Sequence, residues 1–325
     1  MSAAVETVSL ADRMGWLRSE HASESNVRVA GIRCDAPVDV TDQRVWAAQV
    51  AAMRAGLHAA NAAVEVDAVF SADDYCTELA RWFDAAPVMT DRCGSSTAVR
   101  RDLAGRWWEL APATRAGLAT RVVVVGAEST GTTTVAQRLA ALYRGRGGVW
   151  ASTQCVPEYG REYTQLKWDE APSDVRLDQL VWNAADFDAI GPEQTRREEA
   201  AARAGSPLLI CDTDALATGV WKRSYLGDAT GGPWTRVPPR AVYLLTDHEG
   251  VPWQDDGMRE GDLAVRAAMT GWFAEALTAA GHSWVLLTGT LDERVDVAVR
   301  TIDPLLALWA RFGEPLRGPG FEATE

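Results

Sequence analysis

Residues 121–134 read RVVVVGAESTGTTT, and this stretch decides the fold. Four consecutive valines are the pattern of a strand buried on both faces rather than one with a wet side. Gly126 and Gly131 then frame a short loop, and TTVAQRLAALYR has the apolar spacing of a helix. Strand, glycine-framed loop and helix in that order are the context of the phosphate loop GxxxxGK[ST]. In such a loop, glycines let backbone N–H groups wrap a phosphate while the helix N-terminus adds partial positive charge. Gly126, Glu128, Ser129, Thr130, Gly131, Thr132, Thr133 and Thr134 are therefore the expected nucleotide-phosphate contacts. Thr133 stands where the loop's hydroxyl residue ligates Mg²⁺.

Position 132 departs from the pattern, since threonine replaces lysine. Loss of one charge-assisted contact to the phosphates costs roughly 1.5–3 kcal/mol unless another cation replaces it. Only two lysines, Lys167 and Lys222, occur in the chain, so an arginine is the expected substitute. The candidates are Arg161, Arg259, Arg266 and Lys222.

Outward from the loop, apolar runs at 151–156, 207–212, 241–246 and 284–289 alternate with helical patterns at 174–204, 215–226, 263–280 and 291–311. Continuous apolar strands separated by helices predict a doubly wound parallel α/β sheet covered on both faces. Upstream, helical spacing at 12–21 and 43–60 and strand-like runs at 27–32 and 66–71 make an incomplete α/β pattern. The change of rhythm divides the chain into domains 1–118 and 119–325.

Acidic and basic side chains at strand ends supply the candidate chemistry. LLICDTD (208–214) places Asp212 at the end of an apolar strand, suited to hold Mg²⁺ directly or through water. Asp214 follows two residues later, and either aspartate could instead cap the next helix. VPEYGREY (156–163) offers Glu158 to a substrate hydroxyl and Arg161 to phosphate. VPWQDDGMREG (251–261) has the composition of a lid that closes Arg259 over a transferring phosphoryl group. Trp253 and Tyr159 are candidates to stack an aromatic substrate ring.

Composition bounds the rest. With 47% hydrophobic and 24% charged residues over 325 positions, the chain is globular, not disordered. A net charge of −13 disfavours duplex nucleic acid as a partner. Acidic residues Glu6 and Asp12 interrupt any leader-like apolar core, and no run is long enough to span a membrane. Five scattered cysteines without a CxxC indicate a reducing cytoplasm. Four histidines without metal-ligand spacing predict neither a structural metal nor a histidine-based triad.

Taken together, GAESTGTTT, VPEYGREYT, LLICDTDALATGVW and VPWQDDGMREG resemble the kinase domain of the NadR-type bifunctional family, a nicotinamide-nucleotide adenylyltransferase fused to a ribosylnicotinamide kinase. The resemblance spans about 119–310. It implies a P-loop kinase that uses ATP and Mg²⁺ to phosphorylate the 5′-hydroxyl of nicotinamide riboside. In that reading Glu158 or Asp214 orients or deprotonates the hydroxyl, Asp212 holds the metal, and Arg259 arrives with the lid. SLADRMGWLRSEH (9–21) and CGSSTAVRRD (93–102), with Ser95, Ser96, Thr97 and Arg100, resemble parts of the family's adenylyltransferase. This implies an incomplete nucleotidyltransferase-like α/β domain before the kinase. The family's opening strand and GxFxPxHxGH loop have no counterpart here, so little adenylyl transfer is expected from this chain. A nucleotide-binding regulator, a kinase of another nucleoside-like substrate, and a homo-oligomer docked through residues 1–118 are the alternatives.

Overall fold

The computed structural model describes residues 6–37, 39–60, 65–227, 241–253 and 263–313. The chain divides into two compact units, one of residues 1–114 with 310–325 and the other of residues 115–309.

In the first unit, α1 (Leu10–Glu20) opens on Ser9, whose side chain accepts from the Asp12 N–H. Asp42 caps α2 (Gln43–Ala59) in the same way. Two short strands follow, β1 (Ala68–Ser71) and β2 (Ala86–Met89), joined through α3 (Cys76–Phe83) and paired in parallel. Trp46, Val50 and Leu79 form a small core beneath them. Ser95 caps α4 (Ser96–Arg101). The run 27–32, expected as a strand, has no regular secondary structure. A β-strand is stable only when laddered to a partner, and among the described residues 27–32 has none.

After α5 (Pro112–Leu118), the second unit is built on one five-stranded sheet. Its strands are β3 (Thr120–Gly126), β4 (Gln154–Val156), β5 (Leu208–Asp212), β6 (Ala241–Thr246) and β7 (Trp284–Leu287). The order is β4-β5-β3-β6-β7, and all pairings are parallel. Every residue of β3 is buried, as the valine run requires of a central strand. The helices are α6 (Thr132–Gly145), α7 (Tyr159–Asp169), α8 (Ala184–Ala204), α9 (Ala215–Leu226), α10 (Leu263–Ala279) and α11 (Leu291–Trp309). Val135, Leu139 and Tyr143 of α6 and Val295, Ala298 and Ile302 of α11 pack with Val122, Val124, Ile210 and Leu244 of the sheet. This is the parallel α/β sheet expected from the sequence.

Three boundaries differ from expectation. The second strand begins at Gln154 rather than 151, because 148–152 coils as a 3₁₀ turn. The helix expected from 174 starts at Ala184, where Asn183 and Asp186 form a reciprocal capping box. Residues 159–169, which the helical runs expected from the sequence did not include, form the helix α7.

Because β3 is central and the chain winds outward in both directions from it, the loop after β3 lies where the strand order reverses. In open α/β sheets, ligands bind outside the carboxyl ends of the strands at that point. No described helix is long and apolar enough to cross a membrane.

Candidate nucleotide and acceptor site

The loop between β3 and α6 is held in shape by its own threonines. The buried Thr130 hydroxyl donates to the Ala127 carbonyl at 2.7 Å and lies 2.7 Å from the Thr246 hydroxyl at the end of β6. Ser129 and Gly131 are left-handed, with φ of 56° and 88°. That conformation is free for glycine and strained for serine. Gly126 must stay small, because a Cβ there would lie 2.6 Å from Thr130 Oγ1 and collide with Thr246. No side chain caps the N-terminus of α6. Its first N–H groups are therefore left without a side-chain acceptor at the positive end of the helix dipole, where an anion would be favoured.

The loop forms one wall of a cavity of about 490 Å³. All eight residues expected to contact phosphate, Gly126, Glu128, Ser129, Thr130, Gly131, Thr132, Thr133 and Thr134, line it. Glu158, Arg161 and Asp212 line it too. Asp212 sits at the end of β5, only 4% exposed, and its Oδ2 accepts a 2.6 Å hydrogen bond from Thr133 Oγ1. Burial pushes its carboxyl above the ordinary range, against the opposing effects of Thr133 and Arg161. A carboxylate buried in this way is a site of unmet negative potential, and a hard cation would satisfy it. Hydroxyl and carboxylate oxygens in contact fit Mg²⁺, which takes one or two protein ligands and otherwise phosphate and water oxygens. No larger cluster of metal-ligating side chains occurs among the described residues.

Glu158 precedes α7 and pairs with Arg161, Oε2 to Nε at 3.2 Å. Behind them, the Tyr159 N–H donates to the buried Gln194 side chain, which also lines the cavity. Arg197 grips Glu162 at 2.6 and 2.8 Å and lies over the Tyr159 ring at 4.3 Å, which fixes α7 on α8.

Asp214 is placed differently. It caps α9 by accepting from the Ala217 N–H at 3.1 Å and accepts from Tyr243 Oη at 2.5 Å. It is buried and is not among the cavity-lining residues, so of the two carboxylates proposed for the hydroxyl only Glu158 faces the cavity. Tyr159 and Trp253 are likewise not among the lining residues. Instead Trp182, Phe187, Trp221 and Tyr225, drawn from α8, α9 and the turn before α8, make an aromatic wall. Ring centroids are 5.2 Å apart for Trp182 and Tyr225 and 5.6 Å for Trp182 and Phe187. In the sequence these residues are spread over 44 positions, 182 to 225, and only the packing of α8 on α9 assembles them.

Among the cations expected to replace lysine, Arg161 lines the cavity and Lys222 does not. Arg259 lies outside the described residues. Arg266 is buried on α10, where its guanidinium donates to the Glu128 and Ser129 carbonyls of the phosphate loop, each at 3.0 Å. Arg294, which the sequence reading did not single out, donates to the Thr130 carbonyl at 2.8 Å.

A family model described as an AAA domain matches residues 121–294, more than half of the chain. No curated protein matches. Among the solved structures that share the fold are two of NadR protein. The first is NadR protein in complex with NR, 18% identical, covering 92% of this chain and 84% of that one with a TM-score of 0.60. The second is NadR protein in complex with NAD and AMP-PNP, 17% identical, covering 92% of this chain and 83% of that one with a TM-score of 0.54.

Proposed function

Because the chain belongs to the AAA domain family, and so to the nucleotide-using P-loop proteins, we propose that it is an ATP-dependent kinase of a nucleoside-like alcohol, with nicotinamide riboside as the acceptor. The observation that carries this is the joining, in one cavity, of a phosphate loop, a hydroxyl–carboxylate pair and an aromatic wall. Each has a separate task. Backbone N–H groups of the loop and of the first turn of α6 hold the β- and γ-phosphates. Thr133 and Asp212 would hold Mg²⁺, which when bound neutralises charge on the transferring phosphoryl group. Trp182 and Tyr225 offer faces to a flat ring, and a cationic pyridinium ring gains further from aromatic faces.

Glu158 accepts a hydrogen bond from the acceptor's 5′-hydroxyl and turns an oxygen lone pair toward the γ-phosphorus. As the O–P bond forms and the bond to the leaving ADP oxygen breaks, the hydroxyl proton passes to the Glu158 carboxylate. Arg161, paired with Glu158 in the resting chain and lining the same cavity, turns to the phosphoryl oxygens. Phosphoryl transfer needs mainly positioning and charge stabilisation, which these groups can supply. Arg259 as a lid residue remains part of the proposal on the sequence pattern alone.

The fold shared with NadR protein bound to NR and to NAD with AMP-PNP supports the same reading. We extend it to the first unit as an incomplete nucleotidyltransferase-like domain, with residues 1–118 as its proposed extent. There Ser95 is engaged as a helix cap and Arg100 is paired with Glu6 at 2.9 Å. Threonine at position 132 favours a second reading, a nucleotide-binding regulator with little turnover.

The test is ATP consumption by the purified chain with and without nicotinamide riboside, with products identified by mass. Nicotinamide mononucleotide and ADP formed in equal amounts support the kinase. ATP binding without riboside-dependent ADP would remove the kinase reading and leave the regulator.

A further inference from the structure

We infer that Arg266 and Arg294 together supply, through the carbonyls of the phosphate loop, both the bracing and the positive charge that a lysine at position 132 would otherwise provide. The inference rests on the phosphate-loop reading above. Arg266 donates to the carbonyls of Glu128 and Ser129, both at 3.0 Å, and to that of Val251 at 2.9 Å. Arg294 donates to the carbonyls of Thr130 at 2.8 Å, Gly289 at 2.9 Å and Asp247 at 3.0 Å. Three successive loop carbonyls, 128, 129 and 130, are thus held by two guanidinium forks.

Peptide units are planar and trans, so each C=O points opposite to the N–H of the following residue. Fixing carbonyls 128 to 130 therefore fixes the N–H groups of Ser129, Thr130 and Gly131 in the opposite sense, as donors preset for phosphate. The forks also offset the strain of Ser129, a non-glycine residue held at φ 56°.

The charge matters as much as the geometry. Arg266 is 7% exposed and Arg294 2%. Desolvation lowers the pKa of Arg294, the Asp247 carboxylate opposes this, and the neighbouring Arg266 adds to the lowering. The two guanidiniums repel each other, Asp247 offsets part of that repulsion at Arg294, and an anion in the loop would relieve it further. A guanidinium is suited to this task because it stays charged when buried and its fork serves several carbonyls at once. Arg266 and Arg294 act here as positioning residues, through the loop's backbone.

The experiment is calorimetric titration of Mg²⁺ with a non-hydrolysable ATP analogue into the full chain, with thermal unfolding measured in parallel. The variants are Arg266→Met and Arg294→Met, Arg266→Lys and Arg294→Lys, and each methionine variant combined with Thr132→Lys. Loss of either charge should weaken binding roughly tenfold or more, and Thr132→Lys should recover most of that loss. The lysine variants, which keep charge and lose the fork, should fall between wild type and methionine. Where a methionine variant does not fold, the lysine variant of that residue and the methionine variant of the other carry the test. Binding within threefold of wild type in the folded variants overturns the inference, as does weakened binding that Thr132→Lys leaves unrestored. A wild-type chain that binds no Mg²⁺–nucleotide overturns the phosphate-loop reading itself.

Discussion

Thr133 Oγ1 donates a 2.6 Å hydrogen bond to Asp212 Oδ2, joining the first turn of α6 to the end of β5. The bond brings a hydroxyl and a carboxylate oxygen together on the wall of the cavity. If the pair holds Mg²⁺, removing either oxygen costs the metal a ligand while leaving the strands intact. Asp212→Asn and Thr133→Val should each lower Mg²⁺-dependent ATP turnover on the order of a hundredfold. Steady-state rates measured against Mg²⁺ concentration check this. Rates within threefold of wild type would show that the metal lies elsewhere.

Gly126 closes β3 where the backbone passes the Thr246 and Thr130 hydroxyls. A methyl group has no room there, and both neighbours are buried and tied to each other at 2.7 Å. Gly126→Ala should destabilise the chain by about 1–3 kcal/mol, the usual cost of overpacking. Urea unfolding gives the number directly. An unchanged midpoint would mean that the loop yields, and that the threonine pair does not set its shape.

How legible this was depends on the range of the interactions. The β3–loop–α6 unit was readable because its pattern is local: a valine run, two glycines at fixed spacing and a helical period. Asp212 was readable for the same reason, at the end of an apolar strand. Helix α7 was not, because its residues YGREYTQLKWD have no strong apolar stripe, and Arg197 and Lys167 hold it through ion pairs. Asp214 shows the same limit from the other side. A strand-end aspartate looks alike whether it faces a ligand or caps a helix, and only the Ala217 and Tyr243 contacts decide. The arginine forks join residues more than 130 positions apart, which no spacing rule reaches.

The aromatic wall makes a prediction that separates acceptor from donor. Trp182 and Tyr225 stand 5.2 Å apart and line the cavity beside Glu158. Trp182→Ala and Tyr225→Ala should each raise the KM for nicotinamide riboside roughly tenfold, the scale of one lost aromatic contact. The KM for ATP should stay within about twofold, because the phosphate loop is unaltered. Equal changes in both constants would place the acceptor ring elsewhere.

Lys167 and Asp186 give a prediction with a defined pH course. Lys167 Nζ lies 2.6 Å from Asp186 Oδ1, Tyr163 Oη donates to the same oxygen at 2.9 Å, and the Asn183 N–H donates to Oδ2 at 2.8 Å. Burial alone would raise the Asp186 pKa, but Lys167, the Asn183 amide and Tyr163 outweigh it, so the carboxyl stays below its ordinary 3.8. A folded value below the unfolded one means stability that is present in full above 3.8 and lost as pH falls through the folded value. Lys167→Met leaves a nearly buried carboxylate with its two neutral donors only. Breaking a fully buried pair costs about 3–5 kcal/mol. The lysine is 22% exposed, and solvent screening brings the expected loss to about 2 kcal/mol at pH 7. Urea unfolding of both proteins from pH 7 downward should show this difference narrowing as pH falls to the folded value of Asp186, where the carboxyl takes up a proton and no longer needs the lysine. A difference that stayed constant across that range would assign the loss to packing of the lysine stem over the Trp182 ring, 5.5 Å from Nζ, and not to the ion pair.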